Sequence, residues 1–199
     1  MARMWKTRTL DCARGFGWNA GEVIRVRTDE VFAHAPALQN AGEIVGHHDF
    51  RISIKRLRYS LEIFSVSCDP IDVAAIIAEL SVLQDLLGDL HDADVLVPEL
   101  QRTLGELVEE AAHEVGRRRP ARSRQSGKPA LSRSKSRGRT PDLVARPGLV
   151  GLIDRLRVQR STSYDRAVQL WGRLEAEGLR ERLNRLAIDA AARATNHER

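Results

Sequence analysis

Apolar side chains recur at helical spacing through most of this chain. Between 71 and about 115 they follow one another in steps of three, four and seven residues, as at Leu80, Leu83, Leu87 and Leu90. This is the period of an α-helix with one buried face. No alternation typical of βαβ units and no convincing strand is found. The pattern predicts an all-α chain with helices at 22–35, 43–67, 71–115, 149–177 and 180–192.

Interruptions of the pattern define the predicted domain organisation. Gly88 and Pro98 predict a break or kink in the third helix, with Pro98 in a first turn. Residues 117–147 have almost no apolar side chains, so they cannot bury enough surface to offset the entropy of ordering. We predict an antiparallel bundle of four long helices with a long disordered basic loop. Its parts are a poorly ordered N-terminal extension at 1–21, three helices at 22–116, the disordered linker at 117–147 and completing helices at 148–195.

Composition and charge narrow the class of protein. Aromatic residues make up only 5% of the 199 residues, whereas sheet-rich folds usually contain more. The formal net charge of +5 comes from one segment, since residues 117–139 hold ten Lys and Arg and no acidic residue. The rest of the chain has 22 basic against 27 acidic residues, a formal charge of −5. The folded part of the chain is therefore not basic, and its overall charge gives no argument for nucleic-acid binding.

The helix at 43–67 carries the clearest chemical signal. With residues 48–64 placed at 100° intervals, the apolar side chains form one stripe and the cationic ones a second stripe along its edge. Arg offers a planar fork of donors for phosphate oxygens, and Lys adds a mobile charge. A row that rises about 15 Å from His48 to Arg58 suits an extended polyanion. The apolar stripe comprises Phe50, Ile54, Leu57, Leu61 and Phe64, and the edge comprises His48, Arg51, Lys55, Arg58 and Tyr59.

Acidic residues offer another explanation of these cations. Glu62 lies on the same edge, where it can pair with Arg58 or Lys55 and leave only a solvated face. Arg160 and Asp94 occupy positions in their own helices where apolar residues are expected. Because a buried charge needs a partner or an anion, Arg160 either contributes to an anion site or forms a structural pair with Asp94.

Two motifs of this chain resemble those of the CHAD family, the conserved histidine α-helical domain. The first is His48-Asp49-Phe50-Arg51 followed by Lys55-Arg56-Leu57-Arg58-Tyr59. The second is LQDLLGDLHDADVL at 83–96, with a Leu-Gly pair before a D-x-D-V element. They stand in the family's order, and the resemblance covers about 22–116 and 149–177.

The resemblance implies a non-enzymatic helical module that binds inorganic polyphosphate and associates with polyphosphate granules. It also implies site residues. The predicted polyphosphate-binding residues are His48, Arg51, Lys55 and Arg58, to which we add Tyr59 and Arg160. The residues predicted to orient these cations are Asp92 and Asp94 of the D-x-D element, together with Glu62.

The chain departs from the family in the number of its motifs. CHAD domains usually contain two related four-helix halves, whereas this chain has one half, which looks more like the second. A single half predicts a homodimer or pairing with a second CHAD half.

Two alternatives to polyphosphate binding remain open. The segment 117–139 resembles a basic arm that attracts nucleic acid in a salt-sensitive, sequence-independent way, although it has no aromatic residues to stack on bases. A helical scaffold or adaptor with a degenerate anion site would instead use exposed apolar surface.

Other classes of function lack a sequence signal. The P-loop, the G-x-G-x-x-G motif of dinucleotide-binding proteins and the G-x-S-x-G motif of hydrolases are not found. The His and acidic residues lack the spacing of a metal site. We therefore predict no enzymatic activity, metal or cofactor. The two cysteines and the absence of a long apolar run predict a cytoplasmic protein without a membrane span.

Overall fold

The chain folds into α-helices joined by short connections. The structure is a computed structural model that describes residues 5–7, 10–118 and 142–197. No strand occurs in these ranges, which confirms the predicted all-α class. Two short 3₁₀ turns, Ala35–Gln39 and Ser65–Ser67, follow the first two helices. The helices are α1 (Phe16–His34), α2 (Ile44–Phe64), α3 (Pro70–Arg118), α4 (Asp142–Ala176) and α5 (Leu179–His197).

The described residues fall into two compact units. One lies within Met1–Asp94 and Gln159–Arg199, and the other lies within Val95–Val158. The first unit has a continuous apolar core to which all five helices contribute.

None of the helices in the described ranges combines enough length with enough hydrophobicity for a membrane span.

The predicted apolar stripe of α2 forms part of this core. Phe50, Ile54, Leu57 and Leu61 are each 0% exposed. Phe64, the last member of the stripe, is only partly buried. Burial of this face fixes the rotation of α2 about its axis, and it therefore also fixes where the neighbouring cationic edge lies.

Two helix ends follow directly from local sequence. Asp69 Oδ1 accepts hydrogen bonds from the backbone N–H groups of Ile71 and Asp72, at 3.0 and 3.2 Å, and so caps α3. Pro70 occupies the first turn, where its missing N–H costs nothing. Gly178, with φ of +71°, follows the end of α4, because glycine adopts the left-handed conformation without strain.

The first helix begins earlier than predicted. The predicted boundary at 21/22 is wrong, since residues 16–21 of the supposed extension are helical. Ala20 is 0% exposed, and a Cβ on Gly21 would lie 2.4 Å from the carbonyl oxygen of Ala187. Small residues thus let α1 and α5 approach closely, and such residues give no periodic apolar signal.

Of the break or kink predicted in the third helix, the break is wrong, and so is the placing of Pro98 in a first turn. α3 continues through Gly88 and Pro98, although proline removes one backbone donor. In the second unit Ile153 is buried as predicted, whereas Val108 is 48% exposed.

Both ends of the predicted disordered linker are helical. α3 extends to Arg118, and α4 begins at Asp142 instead of 149. The last helix likewise runs to His197 rather than to about 192. The remaining part of the predicted linker, 119–141, lies outside the described residues, and so do residues 1–4 of the extension.

A buried carboxylate joins α1 to α2. The Glu30 side chain is 0% exposed and accepts hydrogen bonds from Arg27 at 2.5 Å and Arg56 at 2.6 Å. The backbone N–H of Trp5 lies 3.5 Å from the same carboxylate. Two guanidinium groups compensate one anion, so Arg56 is committed to the core side of α2 and is separate from the cationic edge.

Removal of this carboxylate's charge should destabilise the first unit. We expect Glu30→Gln, which is nearly isosteric, to lower the free energy of unfolding by about 3–5 kcal/mol, because it leaves buried cations uncompensated. Urea unfolding followed by circular dichroism measures the loss. Glu106→Gln, which removes a carboxylate from an exposed pair with Arg102, is the control and should leave the unfolding midpoint unchanged. Equal effects of the two substitutions would contradict this account.

Candidate functional site

The cationic edge of α2 lies against α3. Arg58 Nε donates to Gln84 Oε1 at 3.0 Å, and the His48 and His91 rings have centroids 5.1 Å apart. These contacts run in opposite order along the two helices, so α2 and α3 are antiparallel. The edge therefore forms one wall of a seam, and α3 forms the other.

Arg58 is partly neutralised by its own helix. Its side chain is 16% exposed and forms an ion pair with Glu62, one turn later. Its guanidinium carbon also lies 4.4 Å from the centroid of the Tyr59 ring. Pairing of Glu62 with Arg58, one of the two explanations considered from sequence, is thus present. Glu62 and Gln84 together hold this guanidinium in place.

Arg51 differs from its neighbours on the edge. It is only partly exposed, and its Nε is buried without a hydrogen-bond partner. Within the described ranges no carboxylate forms an ion pair with it. A desolvated guanidinium nitrogen without an acceptor is unfavourable, so this position is suited to receive an anion.

Lys55 lies one turn from Arg51 and is exposed. Its Nζ is 5.7 Å from the centroid of the Tyr59 ring, which is itself 43% exposed. The part of the chain that the structure describes offers Lys55 no ion pair. Arg51 and Lys55 are therefore the two members of the predicted cationic row whose charges remain available.

Arg160 is used inside the fold. Its Nε forms an ion pair with Asp94, whose side chain is 6% exposed, and its Nη2 donates to the carbonyl oxygen of Ala41 at 2.9 Å. One turn later on α4, Tyr164 donates to the carbonyl oxygen of Leu38 at 2.8 Å. These two side chains connect α4 to the turn that leads into α2. Of the two roles considered for Arg160, an anion site or a structural pair with Asp94, the structure therefore shows the pair.

The acidic residues that were predicted to orient the cations also have different roles in the fold. Asp94 holds Arg160, and Glu62 holds Arg58. Asp92 is exposed, and it acts on the seam only through its charge, which favours protonation of His91.

His48 and His91 meet at the end of the seam nearest the start of α2. His48 Nδ1 lies 3.1 Å from Asp49 Oδ1. Burial lowers the pKa of His91 from its ordinary value, and the positive charges of Arg51 and His48 lower it further. Asp92 and Asp94 oppose these effects in part. His91 is therefore neutral at pH 7 and faces cations.

Sequence reasoning missed His91 and Gln84 as neighbours of the basic edge. They stand seven residues apart on α3, which places them on one face of the helix. That spacing was available in the sequence, but nothing in it indicated that this face meets the cationic edge of α2.

His47 is the histidine that is buried at the start of α2. It is 2% exposed, its Nε2 lies 3.1 Å from the carbonyl oxygen of Ala37, and its ring centroid is 5.6 Å from that of Tyr164. Burial lowers the pKa of His47, and its hydrogen bond to Ala37 opposes this shift in part. This residue belongs to the core, whereas His48 lies at the seam.

The described residues contain no cluster of three or more His, Cys, Asp or Glu side chains that could hold a metal ion. The groups present at the seam can supply hydrogen bonds and positive charge from cationic side chains, with imidazole groups beside them.

Comparison with known proteins identifies one family. Residues 19–101 match the family model of the CHAD domain. The matched region contains both motifs on which the resemblance rests and every predicted site residue except Arg160. Searches of curated proteins and of solved structures each found no significant match.

Buried His47 and half-buried His91 predict how stability depends on pH. Their pKa values are lowered in the folded chain, so below about pH 6.5 the unfolded chain binds more protons. Their contribution to stability is complete above that pH and is lost as the pH falls through the lowered values. We expect the urea midpoint to decrease between pH 7.5 and 5.5. His47→Gln should reduce this slope, and His113→Gln, at an exposed position, should not; equal slopes in all three proteins would contradict the assignment.

Proposed function

Because the chain carries a CHAD domain segment at residues 19–101, we propose that it binds inorganic polyphosphate along the α2–α3 seam without catalysing a reaction. Arg51 and Lys55 supply the charge that contacts the ligand, and His48 lies beside them. The family is associated with polyphosphate, and this chain contributes the specific arrangement of cations.

The observation that supports this proposal best is the state of Arg51. Three arginines of α2, Arg51, Arg56 and Arg58, lie beside its buried face, and Arg160 of α4 contacts the turn that precedes α2. Arg56, Arg58 and Arg160 are each paired with a carboxylate, from Glu30, Glu62 and Asp94 respectively. For Arg51 no such carboxylate occurs in the described ranges, and its Nε is buried without an acceptor. A phosphate oxygen would supply the acceptor.

The spacing of the cations favours an extended ligand. Arg51, Lys55 and Arg58 follow one another at one-turn intervals, or about 5 Å along the helix axis. A guanidinium has five N–H donors, so Arg58 can be held by Glu62 and Gln84 and still donate to an anion. A linear chain of phosphates can engage successive turns, whereas a single small anion engages only one.

The basic segment at 117–139 extends the attraction over a longer range. Its ten cations would gather any polyanion, with an affinity that falls steeply as salt rises. We assign to it a supporting role in capture and to the seam the defined contacts. Association with polyphosphate granules in the cytoplasm, and pairing with a second copy or a second CHAD half, are parts of the same proposal.

Loss of the two available cations should weaken binding more than loss of the same charge elsewhere. We expect Arg51→Ala with Lys55→Ala to weaken binding of long-chain polyphosphate at least about tenfold, since a hydrogen bond to a charged group contributes about 1.5–3 kcal/mol. Isothermal titration calorimetry at about 0.15 M salt measures the affinity, and circular dichroism checks that helicity is retained.

The matched control is Arg155→Ala with Arg185→Ala, which removes two exposed cations from α4 and α5. If both double variants lose the same affinity, binding depends on net charge and the seam is not the site.

The nucleic-acid alternative makes a different prediction. At matched phosphate concentration and about 0.15 M salt, unlabelled polyphosphate should displace a labelled polyphosphate chain more effectively than single- or double-stranded DNA or RNA does, because the counterion contribution is shared by all these ligands. Deletion of 117–139 should weaken the binding of polyphosphate, DNA and RNA and keep the order of their affinities. Preference for nucleic acid, or complete loss of polyphosphate binding on deletion, would assign the activity to the arm instead.

A further inference from the structure

His91 completes the seam from the side of α3. It is half-buried, its ring packs on His48, and the charge of Arg51 acts on it directly. Arg51 also has a buried Nε that has no acceptor. An anion drawn by the charge of Arg51 therefore enters the region in which the two imidazole rings meet.

The space beside His91 is open on the same face of α3. Gly88 lies one turn before His91 and one turn after Gln84. A Cβ built at Gly88 would meet nothing within 4 Å. The absence of a side chain leaves room along the seam between the two residues of α3 that contact the cationic edge.

The charges around His91 come from three helices. From α2 it faces Arg51 and His48, and the latter is in contact with Asp49. From α3 it faces Asp92 and Asp94. From α4, Arg160 pairs with Asp94 and so offsets the one buried carboxylate of this group. Without a ligand, the surroundings of His91 therefore disfavour a further positive charge.

We propose that His91 is a further polyphosphate-binding residue and that it binds the anion as an imidazolium beside Arg51 and His48, so that binding takes up protons. This inference rests on the proposed function. It adds a residue from a second helix to the site and a dependence on pH that arginine and lysine alone do not give.

The direction of the pH effect follows from the charges. In the free protein, burial and the neighbouring cations lower the pKa of His91, so the ring is neutral at pH 7. A bound phosphate brings negative charge into the seam and raises this pKa. Affinity must then increase as the pH falls towards 6, because the ligand binds the protonated form better. Internal phosphates of a long chain keep their charge over this range and do not cause the effect.

Calorimetry of the whole chain with long-chain polyphosphate at several pH values tests the proposal. We expect the affinity of the wild-type protein to rise at least about fivefold between pH 8 and pH 6, as for a neutral hydrogen bond that becomes charged. His91→Gln should lose most of this rise, because glutamine cannot become charged. His113→Gln, at an exposed position of α3, should retain the full rise.

A second measurement is made on the wild-type protein itself. Nuclear magnetic resonance of the histidine rings, with resonances assigned from the variants, gives the pH at which His91 is half-protonated. This midpoint should move upward when polyphosphate is added. Titrations in two buffers of different ionisation enthalpy should also show net proton uptake.

The outcomes separate this inference from the proposed function. If the wild-type protein binds polyphosphate equally well at pH 6 and pH 8, or if His91→Gln retains the whole rise, the role of His91 is wrong while binding at the seam stands. An unchanged midpoint of His91 on ligand addition would also overturn it. If the wild-type protein binds no polyphosphate at either pH, the proposed function fails and this inference fails with it.

Discussion

The structure depends on how each guanidinium beside the core of the first unit finds a negative partner. Burial of the apolar face of α2 brings arginines to the margin of the core, where water cannot fully solvate them. Glu30 compensates Arg56 from α1, Glu62 compensates Arg58 from α2 itself, and Asp94 compensates Arg160 from α3. Two of these pairs join helices, α1 to α2 and α3 to α4, and in the described ranges the three pairs leave Arg51 without a carboxylate.

The contrast between these arginines separates structural from ligand-binding roles. A paired guanidinium that also binds backbone, such as Arg160 on the carbonyl oxygen of Ala41, has its donors directed into the fold. It would lose those contacts on turning towards an external anion. Arg51 has a buried donor with no contact to lose, and its proposed role in binding rests on this difference. The four arginines therefore differ in the fold, although they look alike in the sequence.

Sequence reasoning was most successful where a single helix carries the information. The buried stripe of α2 and the pairing of Glu62 with Arg58 both depend on spacing within one helix. The start of α1 was missed because Ala20 and Gly21 pack through small size, which leaves no apolar period. The continuation of α3 through Pro98 was missed because a long helix can lose one hydrogen bond without ending. The contact of His91 with His48 was out of reach, since it depends on which face of α3 meets α2.

The packing that removes water from the seam also makes further permanent positive charge unfavourable there when no anion is present. Arg51 is always cationic, and its charge already acts on His91, so another permanent cation beside them would add repulsion to a site without a ligand. An imidazole can gain or lose a proton near neutral pH, so under the proposal made above His91 becomes a cation only when an anion is bound. Positive charge that is added on binding in this way spares the empty seam the repulsion that a further arginine would cause.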